Sequence, residues 1–163
     1  MQKRILTLVL IAAGALVGTA LATPIIGMVT AETARGELDE RLQVNTRFDN
    51  GARVKLNTKG QIEIIMQRVV VPPGGSLGWH THPGENVNVV AQGTLTLYHA
   101  RKCTMAMPYG VGDSFATHPK DVHLARNEGT GDVVFFATYF APKATPALPV
   151  RIDQPSPGPE CPL

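Results

Sequence analysis

Two histidines one residue apart, His80-Thr81-His82, and a third, His123, forty-one residues beyond the second, are the residues of this chain best placed to do chemistry. In an extended segment, residues i and i+2 point to the same side, so the imidazoles of His80 and His82 face whatever that side encloses. A third imidazole on a neighbouring strand completes a facial set. Neutral imidazole ligates zinc, iron, nickel and copper, so the spacing predicts a metal site.

Such a site needs strands, and the chain around it reads as strands. Apolar residues recur at every second position at Leu42, Val44 and Thr46, at Val54 and Leu56, and from Ile62 through Met66 into Val69 to Val71. Turn signals separate them at Asp49-Asn50-Gly51, Lys59-Gly60 and Pro72-Pro73-Gly74-Gly75. Val87 to Val90, the turn Ala91-Gln92-Gly93 and Thr94 to Tyr98 read together as a hairpin. Further strands are expected at Ser114 to Thr117, Val122 to Arg126 and Val133 to Phe140, with a first one through Ile26, Met28 and Thr30. The only helical signal is a weak turn near Glu37 to Leu42. Sixteen glycines and thirteen prolines in 163 residues favour many short elements. The expected class is all-β, a sandwich or barrel in one domain.

On these residues the chain resembles the cupins, whose small double-stranded β-helix (jelly-roll) barrels carry two motifs. Gly74, His80, His82 and Gly93 match the first, and Gly112, His123 and Asn127 the second. The resemblance implies that His80, His82 and His123 bind a divalent transition metal: iron, zinc, nickel, manganese or copper. Two departures bear on function. The place of the family's metal-binding glutamate holds Asn86, and the adjacent carboxylate is Glu85. Glu85 points away by strand alternation unless the Pro83-Gly84 turn shifts the register, and Asn86 either ligates through its amide oxygen or orients a water. In the second motif His118 and Lys120 stand where the family has proline and glycine. His118 and His99 read as rim or surface residues, and Trp79 as packing on the opposite face from His80.

The ends of the chain frame this barrel. Lys3 and Arg4 precede an uncharged apolar run, Ile5 to Ala22, with the form of an export signal. Cleavage is expected after Ala22, with Ala31 a later alternative; an uncleaved membrane anchor is the competing reading. Export suits a disulfide between Cys103 and Cys161, closing a loop of roughly 60 residues and worth about 4 kcal/mol in the chain-entropy model. That bond would tether residues 142–163, a tail with seven of the thirteen prolines. The rival reading makes Cys103, Met105 and Met107 soft copper ligands. The expected organisation is a signal at residues 1–22, a barrel at 23–141 with its core motifs at 74–127, and the tethered tail. With Lys3 and Arg4 set aside, thirteen basic residues balance thirteen acidic ones, so no electrostatic case for nucleic acid exists.

Fold does not determine activity. The expected function is an exported, metal-binding barrel with a small-molecule ligand inside it. The alternative is a metal-dependent enzyme, either dioxygenase-like or an isomerase or lyase. Glu63, out of phase with Ile62 and Ile64, is expected to face solvent, and Arg126 either faces away from the histidines or marks their rim, so no acid or base is evident on the inner wall. A homodimer is expected from the resemblance.

Overall fold

A computed structural model describes residues 21–27 and 29–163. The expected signal therefore lies almost wholly outside the described residues, as does Met28. No helix among the described residues is long and apolar enough to cross a membrane.

The strands are β1 (Val29–Leu38), β2 (Gln43–Arg47), β3 (Arg53–Asn57), β4 (Ile62–Val71), β5 (His80–Thr81), β6 (Glu85–Gln92), β7 (Leu95–His99), β8 (Met107–Tyr109), β9 (Ser114–Thr117), β10 (His123–Arg126), β11 (Val133–Pro142) and β12 (Ile152–Asp153). One 3-10 turn, η1, covers Ala100–Lys102. Two five-stranded antiparallel sheets face each other, in the orders β1-β4-β11-β6-β9 and β12-β5-β10-β7-β8, and β2-β3 form a separate ribbon. This is the all-β jelly-roll that the strand spacing and the motifs anticipate.

Alternation decides which side chains fill it. In β4 and β11 the inward set includes Ile65, Val69, Val71, Val133, Phe135, Ala137 and Tyr139, and these pack with Val90, Leu95, Leu97 and Ala125 into the barrel core. A second cluster, Trp79, Tyr98, Cys103, Leu124 and Cys161, lies on the other face of the β5-β10-β7 layer. Trp79 is fully buried there, as its position beside His80 requires. Cys103 and Cys161 form a disulfide across 58 residues, which withdraws Cys103 from any copper site with Met105 and Met107. Asn127 is a structural residue: its side chain donates to the carbonyls of Val71 and Gly131 and accepts from the Gly129 amide.

Four expectations are corrected. The stretch Val87 to Tyr98 is not a hairpin, because β6 pairs with β11 and β9 whereas β7 pairs with β10 and β8. Leu95 through Tyr98 is buried on both faces, between the barrel core and the tryptophan cluster, and this demands the central position that the opposite sheet provides. The chain crosses at Gly93, φ +73°, where a Cβ would lie 2.8 Å from the Asp132 carbonyl oxygen. The weak helical turn is absent, since residues up to Leu38 are drawn into β1 by pairing with β4. Ile26 forms a single bridge to Ser76 rather than opening the first strand, which begins at Val29. Glu63 is buried rather than solvent-facing, and Arg35 satisfies it at 2.6 Å. Its inward phase follows from Ile65, Val69 and Val71, which outweigh the flanking isoleucines.

One glycine sets the register of β6. Gly84 lies so close to the Phe140 carbonyl that a Cβ would collide with backbone. From it β6 enters with Glu85 opposite Phe140 and Asn86 opposite Tyr139. The variant Gly84→Ala should lose about 1–3 kcal/mol of stability or misfold. Urea unfolding measures this, and an unchanged midpoint would contradict the tight approach.

Candidate metal centre

The three histidines meet inside the barrel. His80 begins β5, His82 follows it, and His123 begins β10 directly opposite His80. Their ring centroids are 4.4 Å apart for His80–His123, 4.9 Å for His80–His82 and 5.1 Å for His82–His123. One potential ligand atom from each lies within 4.8 Å of the others, close enough to share one ion. All three side chains are buried.

Each ring is held through Nδ1 by a backbone carbonyl: His80 by Gly78 at 2.9 Å, His82 by Val150 at 2.6 Å and His123 by Asp121 at 2.8 Å. A carbonyl oxygen only accepts, so each Nδ1 carries the proton and donates it. That fixes the tautomer and leaves each Nε2 with a free lone pair, the form a metal requires. Burial lowers all three pKa values, chiefly by desolvation. His80 falls well below the usual range, helped by its two neighbours, and His123 falls to about 4. His82 shifts the same way. Three neutral, pre-oriented imidazoles therefore fit a divalent transition ion.

Asn86 is inside this site and Glu85 is not. Asn86 lines the same small cavity as the three histidines, together with Asn88 and Tyr139, and receives a hydrogen bond from the Asn88 amide. Glu85 is exposed and pairs with His118 at 2.6 Å, a contact that raises the pKa of His118. The Pro83-Gly84 turn thus leaves the alternation intact. His118 sits on the rim, as expected. His99 is half-buried, 3.1 Å from Asp121, with its ring 6.3 Å from that of His123. Arg126 lies 3.9 Å from Glu128, which also accepts from the Tyr98 hydroxyl, so it points to the tryptophan side and away from the site. Lys120, at the family's glycine position, keeps a left-handed backbone with φ 68°.

Tyr139 and Asn88 are the residues of the cavity that sequence reasoning missed. Tyr139 packs against His82 with ring centroids 5.2 Å apart, and burial pushes its pKa to about 12, so it remains a hydroxyl donor. Its one signal is that it is the sole polar member of the inward series Phe135, Ala137, Tyr139. The cavity itself measures only about 20 Å³. That is room for about one water beside the histidines.

The depressed histidines set a pH dependence for the metal-free protein. The unfolded chain takes up protons near pH 6.5, while the fold resists them until about pH 4 at His123. Stability should be complete above about pH 7 and fall as the pH drops from about 6.5 to about 4, by about 3 kcal/mol for His123 alone. Denaturant titrations across that range measure the slope; a flat profile would show that the rings are hydrated.

Residues 67–139 match the family described as a cupin domain. No curated protein matches the chain. Among solved structures, a cupin-like protein from Thermotoga maritima is 19% identical over 63% of this chain and 82% of its own, with a TM-score of 0.48. A predicted oxalate decarboxylase from the same organism is 24% identical over 51% of this chain and 82% of its own, TM-score 0.41. A Cupin 2 conserved barrel domain protein from Salinispora arenicola is 18% identical over 67% and 75%, TM-score 0.43. With the two motifs and the paired sheets, the match over residues 67–139 identifies the segment that carries His80, His82 and His123 as a domain of the cupin superfamily.

Proposed function

We propose that this protein is an exported metal-binding cupin that holds one divalent ion (iron, zinc, nickel, manganese or copper) through His80, His82 and His123. The observation that carries the reading is the Nδ1-to-carbonyl contact made by every one of the three rings. Asn86 is the fourth candidate ligand through its amide oxygen, or the group that orients a bound water; Glu85, on the surface, is not. An ion so bound would act as a Lewis acid and keep positions open for exchange. Around it this chain supplies a proton donor, Tyr139, on the cavity wall beside His82.

Export is supported by the disulfide and by the way the chain starts after Ala22. Thr23 is buried, its hydroxyl accepts from the Trp79 amide at 2.6 Å, and its own amide donates to the Gln154 carbonyl. Processing after Ala31 would remove this brace, so Ala22 is the favoured site. Self-association is supported by the outer face of the β1-β4-β11-β6-β9 sheet. Met66 is 54% exposed there, Phe136 48%, Val89 49% and Val87 47%. Phe136 lies directly opposite Val89, and Thr138 lies opposite both Met66 and Val87, so the patch is continuous.

Elemental analysis of the mature protein should find about one metal per chain, lost in the His80→Ala, His82→Ala double variant with the fold retained by circular dichroism. No metal in the parent protein after reconstitution would overturn the proposal. Light scattering at micromolar concentration should give a dimer mass, reduced to monomer by Phe136→Asp. A monomeric parent protein would remove the dimer.

A further inference from the structure

A cleft of about 880 Å³ lies on the flank of the barrel, outside the histidine cavity. Three separate segments wall it: η1 at Ala100–Lys102, the stretch with Met105 and Met107 that leads into β8, and the turn from His118 to Val122 between β9 and β10. The volume lies within the range of small-molecule sites.

Its chemistry is two-sided. Met105 and Met107 are 55% and 40% exposed, and with Ala100, Pro119 and Val122 they give an adaptable apolar floor. Arg101, Lys102 and Lys120 stand exposed around it, and none of them forms an ion pair among the described residues. The nearby carboxylates are engaged, Asp121 with His99 and Glu85 with His118. Lys120 also holds a left-handed backbone that a lysine adopts at a cost, at the position that aims its charge from the turn.

We infer that this cleft binds an anionic amphiphile: a small organic molecule whose ring-bearing apolar body lies on Met105 and Met107 while one acidic group, a carboxylate, sulfonate or phosphate, meets Arg101, Lys102 and Lys120. This goes beyond the metal site and does not depend on it. His99 lines the cleft with its ring 6.3 Å from that of His123. The concave shape favours a dissolved ligand over a flat membrane surface.

The probes are 1-anilinonaphthalene-8-sulfonate and its uncharged relative N-phenyl-1-naphthylamine, titrated by fluorescence into the mature protein both metal-loaded and chelator-treated. The sulfonate should saturate one site, with equal affinity in both preparations, and bind about tenfold more tightly than the neutral dye. The combined variant Arg101→Gln, Lys102→Gln, Lys120→Asn should lose that advantage while binding the neutral dye unchanged; asparagine suits the left-handed position, so the fold should survive. Met107→Glu should weaken both dyes. Equal affinity for the two dyes, an unaffected basic-residue variant, or binding only with metal present would overturn the inference. So would sedimentation of the protein with phosphatidylglycerol vesicles that the same variant abolishes, since the basic rim would then belong to a membrane surface.

Discussion

Three imidazoles buried side by side in an apolar barrel are tolerable only because every one of them has a backbone carbonyl for its Nδ1 proton. A buried ring without a partner costs roughly 1–3 kcal/mol, and a protonated one far more. The Gly78, Asp121 and Val150 carbonyls therefore do two things at once. They make the cluster compatible with the core around it, and they turn the unprotonated nitrogens toward a common point. Strand alternation at β5, the placement of β10 opposite it and the burial of Asn86 all serve that arrangement.

Much of the site was legible because it is written at short range. His80 and His82 share a face by the period of a strand, and alternation alone separates inward Asn86 from outward Glu85. What escaped was written across the fold. Tyr139 sits in a run of inward apolar residues and reads as core until its neighbour His82 is known. The strands β6 and β7 have the turn and the lengths of a hairpin, yet the two-sided burial of Leu95 to Tyr98 sends them to opposite sheets. Glu63 reads as solvent-facing by the isoleucines beside it and is inward by the longer pattern of β4. The flank cleft has no sequence signature, because its walls come from three segments that only the closed barrel brings together.

The small volume beside the histidines and the large volume outside divide the molecule into two chemical environments. Inside, neutral nitrogen and amide donors surround about 20 Å³. Outside, Arg101, Lys102 and Lys120, without an ion pair among the described residues, border exposed methionines. His99 of the outer cleft has its ring 6.3 Å from that of His123 of the inner one.

The residue next to His80 is where the two ends of the chain converge. Trp79 donates its amide to Thr23, accepts from Gln154 through its carbonyl, and donates its indole N–H to the Pro162 carbonyl, while Val150 in the same terminal stretch orients His82. The carbonyl that aims His82 thus comes from a residue 68 positions beyond it, so the ligand set is oriented only once this distant stretch has packed onto the barrel.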